Sequence, residues 1–183
     1  MMNNPKDSLD LVARDVPHTG EAAFSFENIL ALTPEHINDI KRRAKESPRQ
    51  RYRLCMHHSL DDQIQEMVIA GTNDTYMPPH RHPKGKSESY HMIEGTMTVY
   101  FFNDEGEVIH TLEIGDANSG KPCLYRLSSN EWHMPVPNSE WVVYHECYVG
   151  PFDREHDMEL ASWAPHEKDY DGVQVFLNKL SLK

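Results

Sequence analysis

The sequence predicts an all-β domain of the barrel or sandwich class, preceded by one packing helix. Three observations favour this class. A single helical pattern begins near Thr33, eight short strand-like runs follow from Arg51 onward, and turn residues rather than helical patterns separate those runs. The length of 183 residues suits one domain with short extensions and can bury a substantial core.

The helix is predicted in the segment LTPEHINDIKRRAKES. Thr33 can cap its N-terminus, and the proline after it suits the first helical position, where an N–H would have no partner. Ile37, Ile40 and Ala44 recur at helical spacing and form one apolar face. The Ser-Pro pair that follows stops the helix, so we expect a short amphipathic helix that packs on the sheet.

The strand predictions rest on short runs of β-forming residues bounded by turns. Asn103 to Gly106 reads as a hairpin turn, and Gly95 and Gly115 mark other breaks. The C-terminal segment DGVQVFLNKLSLK fits either a short helix or a strand. The eight runs are RYRLCM, IQEMVIA, YMPPHRH, ESYHMI, TMTVYFFN, EVIHTLEI, PCLYRL and EWVVYHECYV.

The chain is expected to divide into an N-terminal arm (1–32), a β domain with its leading helix (33–167) and a C-terminal extension (168–183). Residues 1 to about 25 are polar without a period, which is typical of a poorly ordered arm. The opening segment has neither a basic start nor an apolar stretch, so it does not resemble a secretory signal. No apolar run reaches the roughly eighteen residues of a membrane-spanning helix.

Charge and cysteine content narrow the partners and the compartment. The formal net charge is -11 and the basic residues are scattered, so nucleic acid and anionic membranes are poor candidate partners. Cys55, Cys123 and Cys147 lack CxxC spacing and are interpreted as buried, reduced thiols rather than as a disulfide or a cysteine-metal site. Reduced thiols indicate a reducing compartment, so we expect a cytoplasmic protein. Since nucleic acid and membranes are poor candidates, we expect the partner to be a small-molecule substrate.

A candidate metal site lies in the segment from Gly71 to Gly95 and in a later turn. His80 and His82 alternate with Arg81 in a strand, so both imidazoles project to the same face. Glu88 opens the next strand and can return beside them in a hairpin, and His133 is the best candidate for a fourth ligand. A lone histidine is more commonly a satisfied polar residue, but HxH followed by Glu and a later Trp-His is a much sharper pattern.

These motifs resemble the two motifs of the cupin superfamily. The first reads here as Gly71, the HxH pair at 80–82, Glu88 and Gly95, with longer gaps than the usual form. The second reads SSNEWH and ends in His133, with Ser and Asn where Pro and Gly are usual. The resemblance implies a cupin jelly-roll β-barrel with a metal site, and it leaves a homodimer as a family-level expectation.

A closer resemblance is to the WbuC-like cupin fold metalloproteins, which are associated with bacterial O-antigen and surface-polysaccharide gene clusters. It runs from the Thr33 helix to Glu167 and includes four segments. Those segments are MHHSLDDQIQEMVIA, PPHRHPKGKSESYHMIEG, VYHECYVGPF and ELASWAPHE. The resemblance implies a carbohydrate setting, but it does not imply a particular reaction.

Two further residues are candidates for moving protons. Glu146 can lie near the metal if Val142 and Tyr144 face inward; in the opposite phase of this strand Glu146 is solvated, and the sequence leaves both phases open. Tyr90 shares the phase of Glu88 and can offer a hydroxyl to a substrate or serve as an aromatic core residue.

Lys84 and Lys86 flank Gly85 beside the predicted ligand strand, where they can bind a substrate phosphate or carboxylate. The alternative is an ordinary solvated loop, which is the commoner role of such residues.

The donor set suits one divalent transition metal, with Fe, Zn, Mn and Ni as the main candidates. The first hypothesis is a metalloenzyme for a sugar or sugar derivative, with isomerisation or epimerisation favoured over iron-dependent oxygenation. The second is a non-catalytic, metal-assisted binding or accessory protein. The third is a metal that only stabilises the fold.

Overall fold

The computed structural model describes residues 20–25, 27–128 and 130–181, which form two β-sheets and two helices. The helices are α1 (Pro34–Glu46) and α2 (Tyr170–Ser181). The strands are β1 (Ala22–Phe24), β2 (Arg51–Cys55), β3 (Ile64–Thr72), β4 (His80–Arg81), β5 (Glu88–Glu94), β6 (Thr96–Phe102), β7 (Val108–Gly115), β8 (Leu124–Leu127), β9 (Trp132–Pro137), β10 (Trp141–Val149) and β11 (Glu159–Leu160).

The two sheets form the layers of a jelly roll. The first has the order β1-β2-β3-β10-β5-β8 and the second β11-β4-β9-β6-β7, so most spatial neighbours are distant in the chain. The main core lies between them, where Ile69 and Tyr144 of the first sheet pack with Val99 of the second. The predicted cupin-type jelly roll is confirmed, with two facing sheets rather than one continuously paired barrel.

Helix α1 covers the outer side of the first sheet, as predicted. Thr33 is its N-cap, and the Thr33 backbone N–H donates to Nδ1 of His36 at 2.8 Å. Ile40 and Ala44 are buried against an apolar cluster that includes Val68 of β3. The first sheet therefore has apolar side chains on both faces, one under α1 and one in the core between the sheets.

Part of the expected N-terminal arm belongs to the first sheet. Residues 1–19 lie outside the described residues, but Ala22–Phe24 form β1 and pair in parallel with β2. Ala23 is fully buried in the cluster under α1. The expectation of a structureless arm to about residue 25 is therefore wrong for these three residues, because small apolar side chains fill the gap beside β2.

The C-terminal segment is a helix, which decides between the two alternatives that the sequence left open. Asp169 caps it, since its carboxylate accepts from the Gly172 backbone N–H at 3.0 Å. Phe176 packs on a cluster around Phe102 and Trp132 of the second sheet. Neither helix of the described ranges is long and apolar enough to cross a membrane.

The cysteines follow the sequence interpretation in part. Cys55, Cys123 and Cys147 are free thiols, but only Cys55 is buried, and the expectation of burial is wrong for the other two.

Candidate metal centre

The three predicted histidine ligands meet where β4, β9 and the segment after β4 come together in the second sheet. His80 of β4 pairs directly with His133 of β9, and His82 follows two residues after His80. The ring centroids of His80 and His133 lie 4.2 Å apart, and those of His80 and His82 lie 5.2 Å apart. One nitrogen from each ring lies within 4.8 Å of the others, so this buried group can hold a metal ion.

Backbone carbonyls orient all three rings. Because a carbonyl oxygen can only accept, each Nδ1 carries a hydrogen, which leaves Nε2 as the nitrogen that a neutral ring would offer to a metal ion. This pattern is typical of histidines that bind metal through Nε2. The three contacts are His80 Nδ1 to Pro78 O at 3.0 Å, His82 Nδ1 to Asp157 O at 2.7 Å and His133 Nδ1 to Glu131 O at 3.0 Å.

Glu88 brings a carboxylate to the same cluster. It opens β5 in the first sheet and is 2% exposed. Its Oε1 lies 3.0 Å from Nε2 of His133, and its Oε2 lies 3.2 Å from Nε2 of His82. Glu88 therefore joins the histidines from the opposite sheet and not through the expected hairpin, because β4 pairs with β9 and β11 whereas β5 pairs with β8 and β10. Its role as a ligand stays a prediction.

The charges of the cluster are strongly coupled. Burial by itself raises the pKa of Glu88, but the imidazoles of His133 and His82 outweigh it and lower the pKa overall. Burial and the neighbouring rings hold the pKa of His80 well below its usual range. The pKa of His82 is raised, because contact with Glu88 outweighs the opposite effect of burial.

The residues fit a divalent cation. Nε2 of His133 is buried and has no hydrogen-bond partner, although a carboxylate oxygen lies close to it. An unpaired lone pair in a dry site is unfavourable unless a proton or a metal ion occupies it. Three neutral imidazoles with one carboxylate also match the donor preference of divalent transition metals.

Glu146 lies on the interior face of the first sheet. Val142 and Tyr144, four and two residues before it, belong to the core between the sheets, and Glu146 pairs across the strands with Tyr90 and Met67 of that core. Of the two phases that the sequence left open, the inward one is therefore present. Burial and the charge of Glu88 raise the pKa of Glu146 to about 7.

Tyr90 is an aromatic core residue in this structure. It is 1% exposed, and its ring lies 4.9 Å from the ring of Tyr144 and 5.1 Å from that of Tyr125. It shares the face of Glu88, as predicted from the strand phase, and Glu146 lies opposite it on the neighbouring strand. Its surroundings favour packing, and a catalytic role stays a prediction.

Three residues that the sequence analysis did not single out support the centre. Tyr125 of β8 donates its hydroxyl to Oε1 of Glu88 at 3.3 Å. Asp157 accepts from His82 through its backbone carbonyl, and Tyr148 lies with its ring 4.7 Å from the His82 ring. A tyrosine in the PCLYRL run was visible in the sequence, but its cross-strand neighbour was not.

Lys86 does not offer its ammonium group to a substrate. It donates to the backbone carbonyls of Val149 and Pro151 and pairs with the Asp157 carboxylate at 3.1 Å. These contacts fasten the loop before Glu88 to the segment that supports His82, so the interpretation of Lys86 as an anion ligand is not supported.

Comparisons with known proteins found one family model and a group of similar solved structures. A family model described as a domain of unknown function, DUF6016, matches residues 32–114. No curated protein sequence matches the chain. A cupin domain is among the similar solved structures.

Three of those structures illustrate the similarity. Protein SO0799 from Shewanella oneidensis is 16% identical, with a TM-score of 0.46 over 55% of this chain and 63% of its own. The Schizosaccharomyces pombe Cnp3 cupin domain is 10% identical, with a TM-score of 0.42 over 55% and 64%. An oxalate oxidase in complex with the substrate analogue glycolate is 10% identical, with a TM-score of 0.45 over 59% and 55%. The chain thus spans less than two thirds of each.

Proposed function

We propose that the protein is a metal-dependent enzyme that acts on a small polar substrate, with a sugar or sugar derivative as the favoured class. The proposal depends chiefly on one juxtaposition. Three imidazoles present their Nε2 atoms to one buried point, and Glu146 lies on the neighbouring interior face with a pKa of about 7. A carboxyl group that titrates near neutral pH suits proton transfer to or from a bound substrate.

His80, His82, His133 and Glu88 would hold the metal ion. When bound, a divalent metal would supply Lewis-acid polarisation of a carbonyl or hydroxyl oxygen, or dioxygen chemistry if it is iron. The carbonyls that accept from each Nδ1 would keep the rings oriented, and the Tyr125 hydroxyl would orient the Glu88 carboxylate.

Isomerisation or epimerisation is the favoured reaction. Both require a base that removes a proton from carbon and returns it, and Glu146 is the candidate for that base. Iron-dependent oxygenation is the second reaction class.

The carbohydrate setting rests on the resemblance to the WbuC-like metalloproteins. The resemblance spans Thr33 to Glu167, which is also the range proposed as the functional domain. A cytoplasmic location and a homodimer are further parts of this proposal.

Solvent-deuterium exchange tests the reaction class whatever the product turns out to be. The metal-loaded protein would be incubated in D₂O with a panel of aldoses, ketoses and hexuronates, and carbon-bound deuterium would be followed by NMR. We expect exchange at a carbon next to a carbonyl group, and its loss in Glu146→Gln with metal content unchanged. Oxygen consumption without exchange would indicate the oxygenase class instead.

A second candidate is a metal-assisted binding or accessory protein without catalysis. It is favoured by the low exposure of the cluster, in which His80, His82, Glu88 and His133 are at most 6% exposed. Ligand binding that depends on metal, with neither exchange nor oxygen consumption, would support this candidate.

A further inference from the structure

Arg51 carries an unpaired positive charge inside the protein. Its side chain on β2 is 6% exposed, and its Nη1 is buried without a hydrogen-bond partner in the described part of the chain. The side chain lines a narrow cavity between the sheets, beside Thr75, Met77 and Tyr144. The cavity has a volume of about 10 Å³, close to what one water molecule or one oxygen atom requires.

No carboxylate of the described residues forms an ion pair with this guanidinium. The nearby Glu21 carboxylate pairs instead with Nη1 of Arg49 at 3.2 Å. Burial lowers the pKa of Arg51 to about 10, which leaves the group cationic at neutral pH. A buried charge without a partner is unfavourable, so an anionic oxygen in the cavity would be favoured.

Arg53 extends the positive charge along the same interior face. Arg51, Arg53 and Cys55 alternate with the side chains that lie under α1, and Cys55 belongs to the core between the sheets. Arg53 pairs in register with Ile69, another residue of that core. Within the described residues its guanidinium forms no hydrogen bond or ion pair, so it too is available to a ligand.

The two arginines lie along the sheet from the metal centre. On β10, Tyr148 lies opposite Glu88 of β5. Tyr144, four residues earlier on β10, lies opposite Ile69 of β3, and Ile69 in turn pairs with Arg53 of β2. Four residues of strand span about 13 Å and three strand spacings about 14 Å, so the Cα atoms of Glu88 and Arg53 lie about 20 Å apart within the sheet. An extended molecule and the long arginine side chain together would span that separation.

We infer that Arg51 and Arg53 bind an anionic group, a carboxylate or a phosphate, of the substrate whose other end reaches the metal centre. The inference rests on the proposed function for the identity of the reacting end. The planar guanidinium offers paired N–H donors that match carboxylate and phosphate oxygens.

Apart from Arg51, Thr75 and Tyr144, the walls of the cavity are apolar. Gly71, opposite Arg51 in the sheet, lets Thr75 approach closely, since a Cβ there would lie 2.9 Å from Oγ1 of Thr75. Met77 and Met97 are unbranched and can change rotamer to admit a larger group.

Matched sugars that differ in charge provide the test. Glucose, glucuronate and glucose 6-phosphate would be titrated by calorimetry into the full chain, once metal-loaded and once metal-stripped. We expect the two anions to bind and glucose not to bind under the same conditions. Arg51→Gln and Arg53→Gln should each weaken anion binding at least about tenfold, because each removes charge-assisted hydrogen bonds.

Arg42→Gln is the control, because Arg42 is an exposed arginine on α1 that pairs with Asp39 and Glu46. It should leave anion affinity unchanged. Arg51→Gln removes an unpaired buried charge, so it is expected to fold, and its melting temperature and metal content would be checked. The anionic sugar that binds with the higher affinity shows whether the arginines prefer a carboxylate or a phosphate group.

Two results would overturn the inference: equal affinity for glucose and the anions, or unchanged anion affinity in both arginine variants. Anion binding to a chain that never takes up metal would sustain the inference and contradict the proposed function. Metal binding and exchange activity without anion selectivity would sustain the proposed function and contradict the inference.

Discussion

At the scale of single residues, Glu88 and Glu146 show how two carboxyl groups on one interior face take opposite characters. Glu88 contacts two imidazoles, which lower its pKa although burial alone raises it. Glu146 forms no ion pair with a described residue, and burial and the charge of Glu88 raise its pKa to about 7. Separated pKa values of this kind are typical of sites that divide metal binding and proton transfer between two groups.

The raised pKa of Glu146 predicts a pH-dependent loss of stability in the metal-free protein. An unfolded glutamate ionises near pH 4.5, whereas the folded one ionises near 7. The unfolded state is therefore favoured progressively as the pH rises from about 4.5 to about 7, and the folded state keeps its full stability below that range.

Glu146→Gln should remove this effect. We expect the variant to exceed the unmodified chain in unfolding free energy by about 1–2 kcal/mol near pH 8 and to match it near pH 4. Urea unfolding at both pH values provides the measurement, and Glu105→Gln on an exposed turn is the control. Equal gains at the two pH values would contradict an ionisation effect.

The hydroxyl of Tyr125 is predicted to tune the metal centre through Glu88. Tyr125→Phe removes the 3.3 Å hydrogen bond to Oε1 but keeps the ring in the core. Loss of such a supporting contact should weaken metal affinity by about 10-fold or more. Competition with a chelator measures this change, with Tyr100→Phe in the second sheet as the control, and an unchanged affinity would mean that Glu88 needs no such support.

At the scale of elements, the sequence predicted most securely what local signals specify. Helix α1 has a cap, a proline at its start and a helical apolar period, and the structure contains it at Pro34–Glu46. Strand β1 was missed because three residues are too few for a period to be visible. Helix α2 was undecided because DGVQVFLNKLSLK satisfies either period until its packing on the second sheet is known.

The metal centre was likewise predicted only in part. Strand alternation predicts that His80 and His82 share a face, whereas the expected hairpin with the Glu88 strand is absent, because β4 and β5 lie in different sheets. Asp157 and His82 are in contact although they lie 75 positions apart in the sequence, and Tyr125 and Glu88 lie 37 positions apart. Contacts of that separation depend on strand order, which one sequence does not reveal.

Burial of α1 should contribute substantially to stability. Ile40 is 4% exposed in the cluster under α1, and Ile40→Ala leaves a cavity there. We expect a loss of about 2–4 kcal/mol in unfolding free energy, measured by urea denaturation. Ile37→Ala, at a partly buried position on the same helix, should cost less; an equal cost would contradict the assigned packing face.

At the scale of the whole molecule, the facing sheets form an interior with two chemically different regions. One contains the three histidines and Glu88, and the other contains Arg51 and Arg53 beside a narrow cavity. The core between these regions is largely apolar, with Glu146 and tyrosines as its polar groups. This arrangement suits an extended ligand with one anionic end and one metal-binding end.

The metal site is the central claim, and elemental analysis of protein purified without added metal tests it most directly, alongside the His82→Ala variant. We predict close to one equivalent of a divalent transition metal in the unmodified chain. His82→Ala should lose most of it while it stays folded, and His91→Ala, at an exposed position of β5, should keep it. Absence of metal after remetallation, or full occupancy in His82→Ala, would contradict the claim.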